Sequence, residues 1–493
     1  MNPTLLRASV WALTLVAATV GVGSMLALVA ANLPGDYVEG VVLSAQQDVR
    51  TGRALYAESN WSEPPYSINL YGPVYYHLGA WTAGLMGASP GDLLPGRLLS
   101  LASLILALAA LWRLQRAVLD LDVADATLGV LLPLGAMPIV VFGAQYRVDV
   151  FGIACGLWGL VLAAEGGRKL YLAPILFVLA VYTKSTAIAA VFAVGLWWLL
   201  DRRFREILVV AAGCLVLGGI SLGTLAVITD GDFVQSVFGF NALPFSVGGF
   251  LAATQQGLGG GLPLVAAGLA AAMVLERSKP ERLAGLFLLV ALFLALATVG
   301  RMGANFNYFV ETSLAVGPVI AVALARSRRE PSSWCAAALP GIVAAALVGS
   351  LLWAGPRAVA EHRGRQHRAV VENRLAESIR PGDTIVTMEI VSAIRLGAQC
   401  YTNDPFIFSR LAEKGLWEEE RMITDMENGV ITWILADEDM AGPRPGHTNW
   451  TDAIRRTTAE RFDLVETQGR LHLYRYREAP QPVPTPGVEE EPS

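Results

Sequence analysis

Asp36-Tyr-Val-Glu39-Gly-Val-Val-Leu-Ser-Ala45 follows directly on the apolar run Ser9 to Leu33. After it come Gly52-Arg-Ala-Leu-Tyr56, Pro64-Pro65-Tyr66, Tyr71-Gly-Pro-Val-Tyr-Tyr76 and Gly96-Arg-Leu-Leu-Ser100. The first run is longer than the ~7–15 apolar residues of a secretory signal, so it reads as a retained anchor helix, even with Arg7 ahead of it and Ala30-Ala31 near its end. What it opens into is a loop, 34–93, rich in carboxylates, prolines and tyrosines. A hydrophobic span that ends in such a loop is the first element of a polytopic membrane bundle.

Composition agrees. Of 493 residues 54% are apolar and only 16% charged, with a mean hydropathy of +0.48, which excludes an ordinary soluble protein. The net charge of −5 carries no nucleic-acid footprint, and none is expected as a partner. The four cysteines, Cys155, Cys214, Cys335 and Cys400, are spaced as neither a disulfide pair nor a metal clip.

Further spans are predicted at about 94–112, 126–145, 149–164, 170–184, 185–200, 207–228, 257–275, 283–300, 306–325 and 334–354, which with the first makes about eleven. Arg113/Arg116, Arg168/Lys169, Arg202/Arg203/Arg205, Arg277/Lys279/Arg282 and Arg326/Arg328/Arg329 then fall in every second loop, and the positive-inside rule makes those loops cytoplasmic. The alternation holds only if Tyr71 to Gly87 does not cross; proline, His77 and short length fit an interfacial or re-entrant helix. Loop 34–93, the Arg147/Asp149 and Lys184 breaks, loop 229–256, Arg301 to Asn307 and everything after residue 356 then face the other compartment.

Three parts follow: a transmembrane domain, 1–355; a charged extracytoplasmic α/β domain, 356–478; and a disordered Pro/Glu-rich tail, 479–493. In the second, helical patterns at 366–379, 408–428 and 449–461 alternate with β-like runs at 384–388, 430–435, 462–466 and 470–476.

Charges at membrane depth cost at least ~2.5–3.5 kcal/mol and mark function by default. Arg147 and Asp149 sit where one predicted span ends and the next begins, an ion pair that either staples two helices or serves a site. Lys184 interrupts a long apolar stretch, where it either snorkels or works. Arg301, Asn305, Asn307 and Glu311 open a later span. Arg147, Lys184 and Arg301 on one side of the membrane would make a phosphate or pyrophosphate cradle, with the carboxylates Asp36 and Glu39 facing the same space as bases.

The ordered series from the acid after the first helix to Gly96-Arg97-Leu-Leu-Ser100, continued by Arg147-Val-Asp149, Thr183-Lys184-Ser185 and Asn307-Tyr308-Phe-Val-Glu311, resembles the polytopic GT-C glycosyltransferases, in particular glycosyltransferase family 39 and the bacterial lipopolysaccharide-core-transferase-like group. It covers roughly residues 10–330. The resemblance implies a polytopic α-helical membrane protein of GT-C type with about 11 transmembrane helices and a small C-terminal extracytoplasmic α/β domain. It implies an enzyme of the cytoplasmic membrane, embedded among membrane lipids, that moves a sugar from a polyprenyl-phosphate donor to a cell-envelope acceptor (glycan, lipid or protein hydroxyl) on the periplasmic or extracellular face.

An acid of the first outer loop is the base in that family, often one of an Asp-Glu pair; here Val38 stands where the first of the pair would be, and Glu39 is the preferred base over Asp36. Arg147, Lys184 and Arg301 would bind the donor phosphate, with Asp149, Tyr71, Tyr75, Asn307 and Glu311 around the substrate. The resemblance leaves open a divalent cation such as Mg2+ or Mn2+. A secondary transporter, or a polysaccharide polymerase or ligase, shares the apolar composition. A transporter should show matched broken helices in two halves, and the polymerase type relies on Arg and His in a large later loop, whereas His is scarce in these outer loops.

Overall fold

A computed structural model describes residues 3–274, 280–329, 334–443, 445 and 448–477; Arg277, Lys279 and the predicted tail 479–493 lie outside the described residues. Among the described residues six helices are long and apolar enough to cross a membrane, at Leu5–Ala31, Leu94–Val118, Phe204–Ile228, Pro280–Thr298, Phe306–Arg329 and Ala338–Pro356, with shorter apolar helices between them. The chain is thus a multi-pass helical membrane protein with a C-terminal mixed α/β domain.

Of the about eleven spans expected, six correspond to helices long and apolar enough to cross, and the others fall on shorter or broken helices. Those expected at 149–164, 170–184 and 185–200 are Asp149–Glu165, Ala173–Thr183 and Ala189–Leu200, of 17, 11 and 12 residues. The single span expected at 126–145 is broken into Val123–Leu131, a 3-10 turn Leu132–Gly135, and Met137–Phe142. Pro133 and Pro138 have no N–H to donate, so a continuous ladder cannot form there. The freed backbone is covered by the first helix, and a Cβ on Gly135 would stand 2.6 Å from that of Ala17. Non-helical backbone at this depth is tolerated because protein, not lipid, surrounds it.

Helix Phe309–Arg329 forms the middle of the bundle, buried on nearly every residue. It approaches helix Val123–Leu131 through two glycines: a Cβ on Gly317 would lie 1.9 Å from the Gly129 carbonyl oxygen. Small residues at a crossing let backbones meet where lipid supplies no hydrophobic drive. Helix Phe204–Ile228, by contrast, buries only Val210 and lies on the outside of the bundle.

The loop after the first helix contains a helix, Tyr37–Thr51, N-capped by Asp36 and with Glu39 in its first turn. Helix Pro73–Leu85 packs against it and has 13 residues, about 20 Å by helical rise and short of a ~30 Å hydrocarbon core.

Helix Trp334–Ser378 runs unbroken for 45 residues from the bundle into the C-terminal domain, crossing the 355/356 boundary expected from composition. That domain holds a five-stranded sheet of β1 (Thr384–Thr387), β2 (Gln399–Cys400), β3 (Trp433–Ala436), β4 (Phe462–Gln468) and β5 (Leu471–Tyr476), in the order β2-β1-β3-β5-β4. β1 pairs parallel with β2 and β3, and β5 antiparallel with β3 and β4. Strand β2 was not expected. The helix predicted over 408–428 is two, Pro405–Glu413 and Glu420–Glu427, because Gly415 ends the first in a left-handed conformation (φ 65°).

The domain does not stand free of the loop. Tyr66 donates its N–H to the Tyr401 carbonyl (2.7 Å), Asn403 returns one to Tyr66 (3.0 Å), and Tyr66, Ile68 and Phe240 lie in the same apolar core as Val386, Phe408, Trp417 and Ile434.

Gly317→Ala should force the two central helices apart, since the atom it meets is backbone; overpacking of this kind costs about 1–3 kcal/mol. A lowered melting temperature of the detergent-solubilised protein is expected, and an unchanged one would mean that the contact is not tight.

Candidate active site

The charged residues at the loop-bearing end of the bundle form one connected chain. Asp36 accepts from Arg147 Nη1 (2.7 Å), Arg147 Nε donates to Asp149 Oδ2 (3.1 Å), and Asp149 Oδ1 takes Lys184 Nζ and Asn307 Nδ2, the latter at 2.5 Å. Each cation stands at a break in helical backbone. Arg147 follows the turn after Phe142, Lys184 separates two short helices, and Arg301 precedes helix Phe309–Arg329. Lys184 Nζ also lies 4.4 Å over the Tyr308 ring, and Arg301 Nη2 donates to the Tyr308 hydroxyl (3.0 Å).

Three adjoining spaces surround this chain. A cavity of about 30 Å³, room for a water or two, is lined by Asp149, Lys184, Asn307, Tyr308 and Glu311. One of about 50 Å³ is lined by Arg147, Lys184 and Arg301 together with Tyr71, Asn307, Tyr37 and, from the C-terminal domain, Asp404 and Phe406. A cleft of about 670 Å³ between loop and domain exposes Asp36, Tyr37, Arg147, Asn305, Phe406 and Asp437. Arg301 Nε and Asn307 Oδ1 are buried with no hydrogen-bond partner among the described residues. Burial pushes the Asp404 carboxyl up to about 7, against the Ile407 and Phe406 N–H groups that favour its charged form.

Glu39, the base preferred from sequence, faces none of these spaces. It is fully buried, and its two oxygens accept four donors: Arg97 Nε (2.9 Å) and the Tyr146 N–H (2.8 Å) on Oε1, Arg97 Nη2 (2.7 Å) and the Gly35 N–H (2.7 Å) on Oε2. Burial alone would raise its pKa, but Arg97 and the two amides outweigh that and hold the carboxyl below the usual range. Every acceptor position is filled, so an incoming hydroxyl has no lone pair to reach. Arg97 in turn donates to the Leu28 (2.7 Å) and Leu33 (2.5 Å) carbonyls. Asp36 is different: it is part-exposed, opens on the large cleft, and apart from Arg147 is bound only weakly by the Val38 N–H at 3.4 Å.

Tyr75 also departs from its expected place around the substrate. It is fully buried, hydrogen-bonded to Ser100 Oγ (2.7 Å) and packed on Tyr146 and Phe151. Arg147, Lys184, Arg301, Asp149, Tyr71, Asn307 and Glu311 do gather as described. Tyr37, Tyr308, Asp404 and Phe406 were not anticipated; Asn403-Asp404-Pro405 is by its residue types a turn signal and nothing more.

No three His, Cys, Asp or Glu side chains among the described residues are grouped to hold a metal ion. Asp36 and Asp149 share the Arg147 guanidinium, so a divalent cation between them would meet a fixed positive charge. The residues as arranged do not fit Mg2+ or Mn2+.

The fold is that of ArnT. The structure of ArnT from Cupriavidus metallidurans bound to undecaprenyl phosphate has a TM-score of 0.62 and 14% identity, over 93% of this chain and 97% of that chain; its apo state gives 0.60 and 14%, over 92% and 96%. The oligosaccharyltransferase of Archaeoglobus fulgidus in the apo form is more distant, with a TM-score of 0.49 and 13% identity over 88% and 70%. No protein-family model and no curated protein matches the sequence. The fold likeness to ArnT runs along nearly the whole chain, the span over which the ordered motifs carried their resemblance included.

Glu39→Gln leaves the Arg97 guanidinium buried without a counter-charge, a loss of about 3–5 kcal/mol for pairs of this kind. Glu39→Gln should therefore lower the melting temperature sharply, whereas Asp36→Asn should leave it near wild type. Equal melting curves for the two variants would contradict the clamp.

Proposed function

We propose that this protein is a membrane glycosyltransferase that moves a sugar from a polyprenyl-phosphate donor to a hydroxyl-bearing cell-envelope acceptor. The observation that carries the reading is the ion-paired chain Asp36–Arg147–Asp149–Lys184 at the mouth of a bundle with the ArnT fold, beside half-buried Arg301. ArnT has been seen with undecaprenyl phosphate. Here Arg147, Lys184 and Arg301 line one cavity, the charge that a departing polyprenyl phosphate monoester requires.

In this mechanism Arg147, Lys184 and Arg301 hold the donor phosphate. The acceptor hydroxyl enters through the large cleft and loses its proton to Asp36. Its oxygen bonds to the anomeric carbon while the bond from that carbon to the phosphate oxygen breaks, and the three cations take up the released negative charge. Attack opposite the leaving group inverts the anomeric centre. Asp149 keeps Arg147 and Lys184 apart and aimed, and Glu39 serves as a positioning residue that holds the Asp36 turn against Arg97.

Orientation follows from charge. Arg113 pairs with Glu165, Arg282 with Asp201 and Arg328 with Asp125, all at helix ends away from the proposed site. The positive-inside rule makes that end cytoplasmic and gives the site and the C-terminal domain to the outer face of the cytoplasmic membrane.

Label transfer from a panel of radiolabelled polyprenyl-phosphate sugars into membrane acceptors tests this reading. Asp36→Asn should reduce transfer by roughly 10²–10⁴-fold, the usual worth of a general base, and Arg147→Ala should abolish it at equal protein level. Full transfer by Asp36→Asn, or no product from any donor with wild type, would sink the proposal.

A further inference from the structure

Asp404 enters the cation-lined cavity from the C-terminal domain, yet none of the cations there pairs with it. Arg147 is committed to Asp36 and Asp149, Lys184 to Asp149, and Arg301 to Tyr308 and the Asn241 carbonyl. Asp404 Oδ1 accepts the Ile407 N–H at 3.1 Å, and among the described residues no ion pair includes Asp404, though it is almost wholly buried. An unpaired carboxylate kept beside a cationic pocket costs free energy, unless something with hydroxyl or ammonium donors fills the space.

Two aromatic side chains share its cavity, one of them, Phe406, with the Arg410 guanidinium 5.7 Å from its ring centroid. Tyr37 and Phe406 line both the small cavity and the large cleft, so they border the passage between phosphate cradle and acceptor entrance. The Phe406 ring lies on Gly303, whose φ of 77° favours glycine and whose Cβ, were there one, would stand 2.8 Å from Phe406 Cε1. The loop is thus seated on a position with no side chain. A carboxylate that shares a cavity with two aromatic side chains is suited to a sugar: hydroxyls donate to the acid, and the C–H face of the sugar ring stacks on an aromatic face.

We propose that Tyr37, Asp404 and Phe406 form the glycosyl subsite, with Asp404 the specificity-determining residue that accepts a neutral or amino-bearing sugar and repels a uronate. This rests on the reading of the site as a polyprenyl-phosphate-sugar transferase. It makes the C-terminal domain part of donor recognition. The physical basis is discrimination by charge: a second carboxylate facing Asp404 would be a like-charge contact with little water to screen it.

The test is binding, at about pH 8.5 where the Asp404 carboxyl raised to about 7 is ionised, of three lipids to the full-length protein in detergent: undecaprenyl phosphate, its phosphoglucosyl form and its phosphogalacturonosyl form. Wild type should bind the glucosyl lipid at least tenfold tighter than the galacturonosyl one. Asp404→Asn, which keeps the helix cap on Ile407, should bring that ratio to near one without lowering the affinity for undecaprenyl phosphate. Phe406→Leu should weaken both sugar lipids and spare the bare one. An unchanged ratio in Asp404→Asn, or equal loss for all three lipids, overturns the subsite. Wild type that binds undecaprenyl phosphate but does not discriminate overturns the subsite alone; wild type that binds none of the three overturns the transferase reading with it.

Discussion

The buried pair of Glu39 and Arg97 is the contact on which the geometry of this end of the molecule depends. Two charges out of water cost several kcal/mol each unless all their hydrogen-bonding capacity is met. Here four donors converge on Glu39, and Arg97 also takes the carbonyls of Leu28 and Leu33. The pair therefore joins the end of the first helix, the loop helix, helix Leu94–Arg113 and the backbone one residue before Arg147. Asp36 and Arg147 lie 111 positions apart, and the clamp fixes the backbone beside each of them. A fully satisfied buried network makes that arrangement single-valued, as a partly satisfied one would not.

The rest of the site uses interruptions in helical order. Arg147, Lys184 and Arg301 each occupy irregular backbone between helices, where side chains reach a shared space that continuous helices would fill. The small residues serve the same end by close approach. Gly96 has the Tyr146 ring 2.2 Å from where its Cβ would stand, and that buried ring carries its hydroxyl to Gln46 at 2.6 Å. Tyr146 thereby packs the loop helix, helix Leu94–Arg113 and the Arg147 turn into one block.

Membrane class, most helix positions and the cation cluster were legible in the sequence because apolar run length and buried charge are local signals. Prolines 133 and 138 were just as visible, but their effect depended on whether neighbours could cover the broken backbone, and the first helix does. The choice between Glu39 and Asp36 was not legible. Both are acids three residues apart in one loop, and only the distant Arg97 and Tyr146 separate a structural carboxylate from a part-exposed one. Asp404 was hidden for a similar reason: an Asn-Asp-Pro turn signal accounted for it locally, while its position in the cavity depends on the domain docking to a loop more than three hundred residues earlier. Strand β2, two residues long, is too short for any periodic pattern.

That docking also bears on biosynthesis. The Ile68 N–H donates to the side-chain oxygen of Asn403, 335 positions later, and the core that covers Tyr66 and Ile68 is built from residues as late as Tyr474. At ribosomal speeds of ~5–20 residues per second the interval is roughly 20–70 s, during which the loop is already made and its apolar side chains have no core to enter. The nascent loop must spend that time shielded by the membrane surface or by a holding factor, and the last strands to be synthesised complete the folding of one of the first segments.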